Sequence, residues 1–336
     1  MSAFAAATGV GSWPGTAPRP AAEVVVGELH DLPHLVELPA RGVAADMIGR
    51  AAALLIDIAL DTIPRGYRVT ARPGAVTRRA VSLLAEDLDA LEEAWERAGL
   101  RGRDRTVKVQ APGPITLAAQ VELPSGHRAI TDAGAVRDLA ASLAEGVAAH
   151  RAQVSRRLDS PVVVQLDEPW LSAALAGRLT GVTSLTPVHP VDESVALGLL
   201  DDCVAAAGSE VALHSCASDV PWKMLQRSTI HAVSIDAASP GRLDVDGLGE
   251  FVDAGRTVLL GIVAVTEPPV PPSAHDIAAT VAGLTDRLGF ARAVLAERIG
   301  VTPVCGLAGA TPEWARTAIE TAQKVAEAFA DDPEGG

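Results

Sequence analysis

Cysteine, positive charge and long apolar runs are all scarce in this sequence, and each shortage removes a class of function. Three cysteines, at 203, 216 and 305, are too few and too odd in number for a disulfide framework. Thiols kept free in this way belong to a reducing compartment, so the expected location is the cytoplasm. Lys and Arg total 28 against 42 Asp and Glu, a net charge of −14, and no basic tract stands ready for a phosphate backbone. Nucleic acid is therefore not the expected partner. No stretch reaches the ~18 uninterrupted apolar residues of a membrane span. The opening M-S-A-F-A-A-A-T-G-V lacks a basic start and runs straight into G-S-W-P, which reads as strand and turn and not as a signal peptide. Internal repeats, low-complexity tracts and a G-x-G-x-x-G nucleotide turn are also missing.

What is present is a steady alternation of two patterns. Short β-type apolar runs fall at 5–10, 34–38, 107–111, 161–166, 211–216, 232–235, 258–264 and 301–305. Between them, Ala/Leu-rich stretches of helical period fall at 21–28, 44–59, 78–98, 133–157, 191–207, 244–254, 273–296 and 311–330. Thr131 and Asp132, Ser273, and the Thr-Pro-Glu of 311–313 supply helix starts. Eight strands alternating with about eight helices predict a single (β/α)₈ TIM barrel over residues 1–330, with a doubly wound sheet as the alternative. Residues 64–76 and the proline-rich 266–273 read as loops over the site, and 331–336, D-D-P-E-G-G, as a disordered acidic tail.

In a barrel the C-terminal ends of all strands share one face, where active sites of this fold assemble. The strand ends here carry Gly11-Ser12, Glu37, Gln110, Asp167-Glu168, His214 and Cys216, Asp236, and Cys305-Gly306. His214 and Cys216, two apart in an extended chain, point the same way and make half of a zinc site. Asp236 and Cys305 are candidates for the rest, either closing a tetrahedron or leaving one position for substrate. The plain alternative is a buried thiol beside a histidine bonded to backbone.

Asp167 could grip the ammonium of an amino acid through a charge-assisted bond, whereas Glu168 serves a helix cap or a turn equally well. The backbone around Gly11 and the Ser12 hydroxyl suit a small carboxylate, or form only a tight turn. Glu37 could contact substrate or share a salt bridge with Arg41. Trp13, Trp170 and Trp222 follow strand ends and could roof a pocket, while Trp95, Trp314 and Cys203 lie in helices as packing. His189 could line the rim; it and the other histidines show no ligand spacing.

With G-S-W-P near the start, G-P-I-T at 113–116, Q-L-D-E-P at 165–169, H-S-C at 214–216, S-I-D-A at 234–237 and C-G-L at 305–307, the chain resembles the catalytic half of cobalamin-independent methionine synthase. Its short single-barrel members are the nearest in form. The resemblance implies zinc held by His214, Cys216, Asp236 and Cys305, with Asp standing where the family has Glu. It further implies homocysteine held by Gly11, Ser12 and Asp167, with Glu37 near another substrate-binding Glu. The implied chemistry is methyl transfer to the homocysteine thiol, giving methionine, with Asp167 as the catalytic-site carboxylate.

Two departures bear on the donor. Full-length relatives carry a second barrel that helps bind the folate, for which 336 residues leave no room. Where the family has a His resembling the proton donor to the folate, this sequence reads V-A-V-T-E-P-P. The expected donor is therefore a methylcobalamin (corrinoid) protein or another activated methyl compound. The competing readings are a zinc-dependent alkyltransferase for another thiol such as coenzyme M, and a non-catalytic barrel that binds zinc or an amino acid. Nothing in the sequence sets the oligomeric state.

Overall fold

Strands buried on both faces read as unbroken apolar runs, and six such runs pair side by side in the computed structural model, which describes residues 2–183, 187–238 and 243–331. In chain order the strands are β1 (Ala59–Ile63), β2 (Gly66–Thr70), β3 (Val107–Pro112), β4 (Val121–Glu122), β5 (Val162–Asp167), β6 (Val211–Ser215), β7 (Ala232–Asp236), β8 (Thr257–Val263) and β9 (Ile299–Pro303). The main sheet is parallel, in the order β3-β5-β6-β7-β8-β9. Helices connect and cover it, among them Ala75–Arg97, Ala133–Leu158, Glu193–Ala207, Val245–Asp253 and Pro312–Asp331.

The predicted first two strands, 5–10 and 34–38, are not strands among the described residues but extended segments held by single parallel bridges. Thr8 N–H donates to the Val301 carbonyl at 3.0 Å and Leu35 N–H to the Lys108 carbonyl at 2.9 Å, so each segment lies against one edge of the sheet. Between the two, Trp13 N–H donates to the Glu37 carbonyl at 2.8 Å. Glycine lets the chain approach its neighbours closely here: a Cβ on Gly9 would lie 2.2 Å from His34 Nε2, and Gly11, φ +146°, lies against Gln110. The same close approaches let these segments pack against the sheet's interior side chains.

The sheet is curled. Cys216 follows β6 and Cys305 follows β9, three strand spacings apart, which in a flat sheet would be about 14 Å. Their sulfurs are 3.4 Å apart. Inside the curl, Phe4, Leu32, Val163, Ala212 and Leu259 form a small separate apolar cluster drawn from both edge segments and the middle strands.

Three other expectations change. Of 44–59 only Met47–Ala51 is helical, capped by Asp46, and the chain then enters the antiparallel hairpin β1–β2, whose strand β2 pairs with β4. Gly146 explains the irregular stretch: a Cβ there would fall 1.8 Å from the Leu54 carbonyl, so this stretch lies directly on the helix Ala133–Leu158. The expected loop at 64–76 thus contains β2 and ends in the helix Ala75–Arg97. The expected helix 273–296 breaks at Gly289, φ +76°, into Ala274–Arg287 and Ala293–Arg298. Its start follows expectation, with Ser273 and Asp276 forming a reciprocal capping box. Asp331 ends the last helix, and 332–336 of the expected tail lie outside the described residues. Among the described residues no helix is long and apolar enough to cross a membrane.

Candidate active site

Alternation along β6 turns His214 inward, and its ring Nδ1 lies 3.1 Å from the Ser234 hydroxyl of β7. That contact aims Nε2 at the sulfurs: Cys305 Sγ lies 3.9 Å from His214 Nε2 and 3.4 Å from Cys216 Sγ. The three donor atoms lie within 4.8 Å of one another. Two sulfurs and an imidazole nitrogen around one tetrahedral Zn²⁺ would be about 3.5–3.8 Å apart, given bonds of ~2.3 and ~2.0 Å. The cluster therefore fits a zinc ion, and its donor set is the soft and borderline kind that zinc selects. Cys305 donates its proton to Cys216, and this sharing draws the Cys216 thiol down to about 7 and pushes Cys305 up to about 12. One of the two is thus already disposed to be a thiolate.

Asp236, the fourth predicted ligand, ends β7 and is half-buried. It stands outside the three-atom cluster, and its Oδ1 accepts from the Ala238 N–H at 3.0 Å.

The predicted substrate residues gather beside the cluster. Asp167 is the register partner of His214 and is buried; burial raises its carboxyl to about 7, with nearby Glu37 adding to the rise and His214 opposing it. Gln165 Nε2 donates to Asp167 Oδ1 at 2.7 Å. Ser12 is bridged to Glu37 on one side, and on the other a Cβ on Gly306 would lie 2.0 Å from its Oγ, which puts the hydroxyl against the Cys305-Gly306 turn. Gly11 packs on Gln110 so closely that a Cβ would come within 2.9 Å of that side chain. Glu37 is buried and its carboxyl is raised by burial, with Arg50 opposing from 3.4 Å. Arg41 does not pair with Glu37 as expected; it and Arg50 both grip Asp87.

Glu168 resolves to the structural side of its two expected fates. Fully buried, it accepts from the Ile115 and Thr116 N–H groups, each at 2.8 Å, and from the Thr116 hydroxyl at 2.7 Å. It anchors the start of the helix Pro114–Gln120. Of the three tryptophans expected over the pocket, Trp222 is instead buried against Phe251, its ring centroid 5.6 Å away, and Trp13 is buried; Trp170 is exposed.

Sequence reasoning passed over Lys108. It is wholly buried in β3 and donates to Gln165 Oε1 at 2.6 Å and to the Val10 carbonyl at 3.2 Å. Burial pushes its amine down to about 7 against the pull of Asp167 and Glu37. A charged residue in the middle of V-K-V-Q-A-P was a visible signal. Arg50 and Asp87, from two different helices, carried none.

The site is thus a His-Cys-Cys group able to hold a metal ion, set beside buried carboxylates on a parallel α/β sheet. Comparison with family models makes this specific: residues 4–328 match the catalytic domain of cobalamin-independent synthase, and the chain belongs to that family of methionine synthase-type methyltransferases. Among solved structures it is similar to a B12-independent methionine synthase from Shewanella sp. W3-18-1 in complex with selenomethionine. Identity is 13%, the TM-score 0.63, and 98% of each chain is covered. It is also similar to a methyltransferase from Methanosarcina mazei, at 14% identity and TM-score 0.55, covering 93% of this chain and 83% of that one. No curated protein matches it.

Proposed function

We propose that the protein is a zinc-dependent S-methyltransferase that methylates homocysteine to methionine, built as one (β/α)₈ barrel over residues 1–330 with two of its eight staves reduced to bridges. Its place is the cytoplasm, where its thiols stay reduced. The observation that carries the reading is the convergence of His214, Cys216 and Cys305 beside Asp167. These three would hold the zinc, with Asp236 as a further ligand. Zinc, when bound, lowers the pKa of a substrate thiol and so keeps it nucleophilic at neutral pH. The protein's own residues do the rest. Asp167 and Glu37 receive the substrate ammonium; the Gly11 backbone and the Ser12 hydroxyl receive its carboxylate. The sulfur, having lost its proton, forms a bond to the methyl carbon while the donor's bond to that carbon breaks and the electron pair leaves with the donor. Holding the amino acid at both ends turns an encounter into an aligned displacement.

Two buried carboxylates beside the thiol site favour an ammonium-bearing acceptor and would repel the sulfonate of coenzyme M. As donor we favour a methylcobalamin protein or another activated methyl compound, because Val263 to Pro269 offers no imidazole where the family places one. The test combines metal analysis with a methyl-transfer assay. Zinc should copurify in equimolar amount with the native protein and be lost from Cys305→Ser. Homocysteine should be methylated from methylcobalamin. Turnover with methyltetrahydrofolate alone would overturn the donor assignment, and native protein without metal affinity would overturn the mechanism.

A further inference from the structure

We propose that Lys108 is a positioning residue that, through Gln165, orients both ends of the amino-acid site at once. The inference rests on the homocysteine reading above and adds to it a residue whose side chain stays beneath the substrate. An ammonium has donors only, so Gln165 must present Oε1 to it, as it does at 2.6 Å. The amide's orientation is then fixed, and its Nε2 faces the other way. That nitrogen donates to Asp167 Oδ1 at 2.7 Å and to the Val10 carbonyl at 2.7 Å. Lys108 Nζ reaches the same Val10 carbonyl at 3.2 Å.

The consequences differ at the two ends. Asp167 is held with one oxygen occupied, leaving the other lone pairs for a substrate ammonium. Val10 immediately precedes Gly11 and Ser12, so anchoring its carbonyl fixes the turn that would meet the substrate carboxylate. This N-terminal segment has only isolated bridges to hold it, which makes the anchor matter more there than in a regular strand.

A purely structural role is the competing explanation, and energetics argue against it. Burying a cation costs more than burying a methionine of similar volume, so this lysine adds no stability that an apolar residue would not, and the geometry it fixes is what it supplies. No Lys108–carboxylate ion pair within 4.0 Å occurs among the described residues; its contact with Asp167 runs through the amide.

The test measures binding to the zinc-loaded protein of homocysteine and of two truncated thiols. 4-Mercaptobutanoate lacks the ammonium and 3-mercaptopropylamine lacks the carboxylate. The native protein should prefer homocysteine to each. In Lys108→Met homocysteine should weaken by about 10-fold or more, the scale of one charge-assisted hydrogen bond, and each truncated thiol, which engages only one of the two ends, by less, so that the preference shrinks. Zinc content should be unchanged. Gln165→Glu, which keeps an acceptor for Lys108 but has no N–H to give Asp167 or Val10, should show the same collapse of preference and provides the answer if Lys108→Met does not fold. A merely structural lysine would lower the melting temperature and leave the preference intact, and that result in both variants overturns the inference alone. Native protein indifferent to the truncations would overturn the homocysteine reading, and this inference with it.

Discussion

Asp167 and Glu168 are neighbours in the chain with different surroundings, and alternation along the strand end is what separates them. Asp167 turns toward His214 and accepts from the Gln165 amide, while Glu168 turns away and is saturated by three donors. Asp167→Asn should therefore weaken homocysteine binding by about 10-fold or more with little change in melting temperature, since the amide cannot supply the charge that an ammonium needs. Glu168→Ala should do the reverse. It strands two backbone N–H groups and a hydroxyl in the interior, a loss of about 3 kcal/mol or more, read as a lower urea midpoint.

His150 sets a pH limit at the same scale. It is buried, its Nδ1 has no partner among the described residues, and burial holds its imidazole down to about 4, with Arg50 adding to the effect. Below the unfolded value of ~6.5 the unfolded chain takes up a proton that the folded chain refuses, so stability falls as pH falls toward 4, by about 1.4 kcal/mol per pH unit for this one group. Urea unfolding at a series of pH values between about 7 and about 5 should show a shallower loss in His150→Phe than in the native protein.

At the level of elements, the turn after β9 is shaped by what it must avoid. Gly306→Ala would drive a Cβ to within 2.0 Å of Ser12 Oγ, so one of the two must move. We expect zinc to be retained and homocysteine affinity to fall, checked by metal analysis and titration of the same preparation.

The six strands of the main sheet were legible because burial on both faces leaves them mainly apolar, and the long helices because their caps and period agree. The edge segments were legible only as apolar runs, since nothing local says that Gly9 and Gly11 lie in close contact with His34 and Gln110. The β1–β2 hairpin was hidden because the Ala/Leu-rich 44–59, which runs into β1, suits helix and strand alike, while the Gly, Pro and Arg of 64–76, which holds β2, read as a loop. In the site, cysteine and histidine identify themselves by donor chemistry and two-residue spacing. Lys108, Gln165, Arg50 and Asp87 act through partners distant in sequence, and only the fold brings these together.

At the level of the whole molecule, the three cluster residues come from the two ends of a four-strand run, β6 to β9, so an ion there would tie the curled sheet across its opening. Chelation should lower the melting temperature by several degrees, because an ion bound only by the folded form adds about 4 kcal/mol at a thousand times its dissociation constant. Cys305→Ser should melt near the chelated native protein and not respond to added zinc, as followed by calorimetry.

The spread of the site along the chain has one more consequence. From Gly11 to Cys305 the proposed site residues span nearly the entire polypeptide, and the last of them follows the final strand. On a growing chain the His-Cys-Cys group would therefore stay incomplete until synthesis has passed Cys305 and the curl of the sheet has brought Cys216 and Cys305 together.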